Sequence, residues 1–236
     1  MRNRLIASAA VAVALAAAVS AQKTVVVLDP TIVVPERESP LKETYQKEID
    51  RVALPRLKAK YESDICPVEL DLAGEASGSF TRKGAEQKIA FFQVCQTGNG
   101  LGIVALVVTE NGKVVSIYGS ESGWSLDIGA LPDINANGLD EFTLSYGGGM
   151  HQGQGGVGVD IMEFTGSAPK GIGWFKAEEF MDTEAVNVWK VTAKPGPTPV
   201  FYKQKYASVE GGKWRRTGAN SVFKLGKAYG NFEVVK

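Results

Sequence analysis

Oxygen-bearing side chains stand at every second position of Asp133-Ile134-Asn135-Ala136-Asn137-Gly138-Leu139-Asp140-Glu141. Carboxylate and amide oxygens spaced this way in a tight loop converge on one point. That arrangement suits a hard cation such as calcium, which takes about six to eight oxygen ligands at roughly 2.3–2.6 Å. Asp133, Asn135 and Asn137 supply side-chain ligands, the Leu139 carbonyl a fourth, and Glu141 closes the site, with Gly138 permitting the sharp turn. Two carboxylates and two neutral amides set the expected affinity in the weak extracellular range, a Kd of about 10⁻⁴–10⁻³ M. An EF-hand is excluded on spacing, because Leu144 stands where that loop needs its closing glutamate. The competing reading is an Asx-rich turn whose side chains satisfy their own backbone without metal.

Other chemistry has less to work with. His151 is the single histidine, inside the glycine-rich stretch Gly147–Gly156, where His151, Gln152 and Gln154 form a candidate ligand loop and a plain strand connection is the alternative. The string Gly153-Gln154-Gly155-Gly156-Val157-Gly158 spells a dinucleotide fingerprint, but a strand pattern follows where a phosphate-binding helix is required. With one histidine, no G-x-S-x-G elbow and no cluster of histidines to ligate a metal, nucleophilic hydrolysis has little to work with. A carboxylate pair such as Asp127 with Asp160 is the one route left to hydrolysis of a glycan. The four tryptophans read as packing residues.

The elements that position the loop repeat. Shifting the chain by 54 residues sets Ser79–Gln87 on Asp133–Glu141, Gly84 on Gly138, Gly102–Val108 on Gly156–Met162, and Asn111-Gly112 on Thr165-Gly166. Loop, strand and turn stay in one register without a gap, which predicts two copies of a supersecondary unit, at about 75–124 and 129–178. The earlier loop offers Ser79, Thr81, Lys83, Ala85 and Gln87, which cannot hold calcium; the Lys83 ammonium is expected to occupy the ion's place. A faint third unit spans 190–236, with Glu210-Gly211-Gly212-Lys213 as a turn. Apolar runs at Ile89–Cys95, Ile103–Val108 and Val114–Tyr118 read as strands, and Asn111-Gly112 as a type I′ hairpin turn.

The loop resembles the FG-GAP or VCBS-type repeat of integrin-like β-propellers, whose Asp-x-Asp/Asn-x-Asp/Asn-Gly-x-x-Asp loop binds calcium between strands of a blade. The resemblance covers both units and implies a structural calcium ion and an adhesive or ligand-binding role. Glu141 departs from the family's usual aspartate. The expected fold is mainly β, with two or three antiparallel propeller-blade-like units over residues 66–236.

An N-terminal segment, 22–65, precedes them. Thr24–Leu28 and Thr31–Val34 read as extended segments around an Asp29-Pro30 turn. From Ser39, with Pro40 at the first helical position, Leu41, Tyr45, Ile49, Ala53, Leu57 and Tyr61 recur every fourth residue and predict an amphipathic helix, kinked or broken near Leu54 by Pro55. Residues 1–21 read as a secretory signal: Arg2 and Arg4, an apolar run Leu5–Val19, and the small residues Val19-Ser20-Ala21 at the cleavage point.

The protein is therefore expected to be secreted or periplasmic, with no membrane insertion after cleavage. In that compartment Cys66 and Cys95, the only cysteines, are expected to pair. Lys and Arg total 26 against 26 Asp and Glu, and loss of the signal's two arginines leaves the balance near neutral, which argues against a nucleic-acid partner. Residues 190–236 nevertheless carry ten bases and two acids, against two bases and eleven acids in 120–189. Complementarity between units is one explanation; a patch of Lys203, Lys205, Lys213, Arg215 and Arg216 for an anionic envelope polymer is the other. The function expected is a non-catalytic binding or scaffold module, calcium-stabilised, for a protein or glycan of the envelope. A carboxylate-dependent glycan hydrolase and a purely structural exported protein are the alternatives.

Overall fold

The computed structural model describes residues 23–32, 43–98, 101–151, 154–182 and 184–236. The leader at 1–21, the start of the helix at Ser39–Leu41 and Gln152 lie outside them. Thirteen strands and one helix follow in the order β1 (Val25–Leu28), α1 (Glu43–Tyr61), β2 (Asp71–Gly78), β3 (Gln87–Gly98), β4 (Leu101–Glu110), β5 (Lys113–Ser122), β6 (Trp124–Leu131), β7 (Glu141–His151), β8 (Gln154–Thr165), β9 (Ala168–Met181), β10 (Glu184–Lys194), β11 (Val200–Val209), β12 (Lys213–Phe223) and β13 (Glu233–Val234). All pairings are antiparallel.

Two sheets result. One is five-stranded, in the order β13-β5-β4-β3-β2. The other is eight-stranded and runs β12-β11-β10-β9-β8-β7-β6, with β1 on β10. Separate propeller-blade-like units, as the sequence suggested, do not form, because β9 and β10 pair, fusing the second unit with the third.

The continuous apolar runs of β3 and β4 reflect burial on both faces. Ala90, Phe92, Ala105 and Val107 face the helix side with Ile49, Ala53 and Leu57 of α1. Phe91, Val104 and Leu106 alternate with them and meet Phe142, Leu144 and Met162 of the larger sheet. That larger sheet rolls its other face around Val159, Ile161, Phe175, Val191, Phe201 and Ile134. The roll brings the β10–β11 connection to the 133–141 loop, where the Gly196 amide donates to the Ile134 carbonyl at 3.0 Å.

Helix α1 is unbroken across Pro55. Pro55 sits on the exposed side, so water can satisfy the Arg51 carbonyl that loses its helical partner. Cys66 and Cys95 form a disulfide, Cα–Cα 5.3 Å, at the edge of the helix-side core. Asn111 and Gly112 adopt φ of 52° and 76°, the left-handed pair that a type I′ turn requires.

Strands β3, β4 and β5 begin at residues 87, 101 and 113, and β7, β8 and β9 at 141, 154 and 168. The offset is 53 to 55 residues for each pair, and Gly84 and Gly138 share positive φ, 72° and 88°.

Candidate functional site

Two places in the fold concentrate polar groups whose needs are unmet. The first is the 133–141 loop between β6 and β7. Asp133 accepts at Oδ1 from the Asn137 amide (3.1 Å) and at Oδ2 from the Gly138 amide (2.8 Å). Asn135 Oδ1 accepts from the Asn137 amide, and Asn137 Oδ1 from the Leu139 amide (3.0 and 2.7 Å). The Asn135 and Asn137 side-chain amides both donate to Glu163 Oε2 on β8, at 2.7 and 3.2 Å. Ala136 is held at φ 62°, costly for a residue with a Cβ.

Glu141 is fully buried. Its Oε2 accepts from the Ile134 amide at 2.7 Å, while Oε1 has no partner. Burial, together with the charges of Asp133, Glu163 and Asp140, pushes its carboxyl up to about 7 against the Ile134 hydrogen bond. Gln87, 54 residues earlier, shows the contrast. Its oxygen accepts from the Thr81 amide, and its nitrogen donates to Thr81 Oγ1 and Glu110 Oε2. An amide is satisfied there, whereas a carboxylate in the second loop is left with a bare oxygen.

The two loops are also joined: the Ser79 amide donates to Asp140 Oδ2 at 2.7 Å, and the Asp140 amide to the Ser79 carbonyl at 3.1 Å. Lys83, expected to take the ion's place in the earlier loop, comes close to the second loop. Its Nζ would lie 3.6 Å from a Cβ placed on Gly138, so the ammonium reaches over the second, more acidic loop. Among the described residues no group of three His, Cys, Asp or Glu side chains is arranged to hold a metal. The oxygens of the loop are a mixed Asp, Asn and Glu set, and each keeps a second lone pair beyond its amide hydrogen bond.

The second place is a cleft of about 1300 Å³ on the side of the glycine-rich hairpin β7–β8. Gly147, Gly148, Gly155, Gly156 and Gly158 line it, with Gln154 at the rim. The described residues of this stretch lie in paired strands, with Gly148 opposite Gly156 and His151 opposite Gln154. Close approach explains the glycines: a Cβ on Gly158 would meet Trp174 Nε1 at 2.3 Å, and one on Gly156 the Glu178 carbonyl at 2.4 Å.

Trp174 stacks edge-on against Tyr229 at 5.4 Å. Ile65, Leu101 and Met181, each more than half exposed, add an apolar rim. The Ser122 and Tyr146 hydroxyls at the wall are buried and lack a well-formed hydrogen bond. Burial and the charge of Asp160 push the Tyr146 hydroxyl well above its usual range. Glu178 is likewise raised by burial, whereas its neighbour Glu179 is lowered by the Asn187 side chain (2.7 Å) and Lys176 (3.3 Å).

The pair considered for hydrolysis does not share a site. Asp127 is exposed on β6. Asp160 is fully buried, its oxygens accepting from the Tyr229 and Gly230 amides at 2.7–3.0 Å. The cleft was missed in the sequence because its lining comes from strands far apart in the chain. The density of glycine within strand-forming sequence was the available signal, since glycine inside a strand marks close approach or exposed backbone. No protein-family model, no curated protein and no solved structure matches the chain significantly.

Proposed function

We propose that this is an exported, non-catalytic ligand-binding module, with the glycine-lined cleft as its binding site and the 133–141 loop as a structural calcium site. The observation that carries the reading is the cleft itself. Ligand sites are concave, largely apolar and furnished with a few convergent polar groups, and this one combines Trp174, Leu101 and Met181 with the buried, mutually facing hydroxyls of Ser122 and Tyr146.

Calcium is supported by the bare, buried Glu141 oxygen beside Asp133, Asp140 and Glu163, and by the loop's likeness to that of FG-GAP-type repeats. The matched offsets and glycine conformations support descent of the two β-meanders from one duplicated unit. The Cys66–Cys95 disulfide favours an oxidising compartment, in line with the signal-like leader. No helix among the described residues is long and apolar enough to cross a membrane.

The test is a panel of envelope glycans and peptides titrated against the protein and against Gly148→Phe. Gly148 lines the cleft with nothing closer than 3.4 Å to an added Cβ, so the backbone accepts the ring, which adds bulk to the cleft wall. Binding that Gly148→Phe abolishes supports the reading; binding it leaves intact places the ligand elsewhere. A hydrolytic reading is favoured by one feature, the raised carboxyl of Glu178 beside the lowered Glu179 within the cleft. Release of reducing ends that Glu178→Gln abolishes would turn the same panel in its favour.

A further inference from the structure

Seven of the ten bases in residues 190–236 fall on β10, β11 and β12. Trp189 pairs with Lys205 and Lys205 with Thr217, while Ala207 pairs with Arg215 and Val209 with Lys213. Directly opposed residues share a sheet face, as do residues two apart on a strand. Trp189, Lys203, Lys205, Arg215 and Lys213 therefore stand on one face. Arg216, opposite Tyr206, projects from the other, so the five cations picked out in the sequence divide four to one.

The aromatic rings on this side lie under ammonium groups. Lys205 Nζ is 5.5 Å and Lys176 Nζ 6.0 Å from the Trp189 ring centre, and Lys203 Nζ is 5.2 Å from that of Phe223. Lys176 is engaged by Glu179. Among the described residues, Lys203, Lys205, Lys213 and Arg215 have no carboxylate within ion-pair distance. Lys205 has only a minor influence on Glu179. The acidic half of the chain thus leaves these four charges uncompensated, and Lys203, Lys213 and Arg215 are exposed.

Strand geometry fixes their spacing, at about 4.8 Å between strands and roughly 6.8 Å between alternate residues. We infer that this face binds a linear anionic polysaccharide carrying a carboxylate or sulfate on its sugar rings. A lattice of cations at this pitch, on the exposed part of a face whose Val191 and Phe201 are buried, meets successive acidic groups of an extended chain. A nucleic acid is the poorer fit, because single-strand binding relies on aromatic faces free to stack bases, and Trp189 and Phe223 lie under ammonium groups. The site lies outside the cleft and does not depend on the reading given for it.

The test titrates the protein with polygalacturonate and dextran sulfate over a range of salt, beside neutral dextran and single-stranded DNA. The acidic glycans are expected to bind with an affinity that falls steeply with salt. Lys205→Gln combined with Arg215→Gln should weaken binding by about tenfold or more and flatten the salt dependence, as loss of two cation contacts implies. Arg216→Gln, on the opposite face, should change it less than about twofold, and Lys205→Arg with Arg215→Lys should restore it, separating charge from folding. The inference fails if the acidic glycans do not bind, if neutral dextran or DNA binds as well or better, or if Arg216→Gln costs as much as the double variant.

Discussion

Glu141 holds the sharpest conflict among single residues: a buried carboxylate with one oxygen bonded, one bare, and three acids around it. Its folded value of about 7 lies above the ordinary 4.5. Between those limits the folded chain keeps a proton that the unfolded chain has released. Stability is therefore full below about pH 4.5, falls as pH rises to about 7, and is flat above, a loss of roughly 3 kcal/mol. Asp160 and Glu178, both raised by burial, act in the same direction. The lowered carboxyl of Asp29, where burial is outweighed by Lys190 and Thr31, acts oppositely but only below its ordinary 3.8. The thermal midpoint is thus expected to be higher at pH 5 than at pH 8. Glu141→Gln, which copies the arrangement at Gln87, should remove most of that slope. Millimolar calcium should raise the midpoint at pH 8 more than at pH 5, because it competes with the proton for the bare oxygen, and Glu141→Gln should abolish the response. Equal midpoints with and without calcium at both pH values would remove the ion and leave a protonated glutamate in an Asx-rich turn.

At the scale of elements, the Cys66–Cys95 bridge ties the segment after α1 to β3 and closes a loop with a sequence separation of 29. Replacing both cysteines by alanine should cost about 3 kcal/mol, read as a shifted denaturation midpoint. A shift below about 1 kcal/mol would mean that the helix-side core alone holds these segments together. The elements themselves were legible wherever one local rule governed. Fourfold spacing marked Ile49, Ala53 and Leu57, all now fully buried, and Asn111-Gly112 marked its turn. Assembly was not legible, because the runs in β3 and β4 are apolar on both faces and carry no alternation to say which sheet lies on which side. The same lack hid the fusion of β9 with β10. Residues of the cleft such as Leu101, Ser122, Tyr146 and Trp174 are unremarkable singly and gain meaning only when the two sheets bring them together. Spacing alone located the oxygens of the 133–141 loop, but not Glu163, which joins from β8 through Asn135 and Asn137.

For the molecule as a whole, the last residues decide whether two sheets behave as one body. After β12 the chain recrosses β9, with Trp174 and Gly226 exchanging backbone hydrogen bonds of 3.0 and 2.8 Å. It then gives its Tyr229 and Gly230 amides to the buried Asp160 and ends as β13 on β5 of the other sheet. Phe232 enters the core between the sheets and Val235 the core beneath α1. The tail therefore draws stability from both halves, and loss of its anchor is felt in both. Phe232→Ala should cost about 3–5 kcal/mol, the range for truncating a buried aromatic ring. Every tryptophan lies in a strand of the larger sheet, whereas α1, the helix among the described residues, packs on the smaller. Tryptophan fluorescence and helical circular dichroism thus follow the two halves separately during denaturation. Coincident curves are expected for the unaltered protein, with both shifted equally in Phe232→Ala. If the variant moved the fluorescence curve and left the dichroism curve in place, the sheets would be independent bodies and the tail a surface strap.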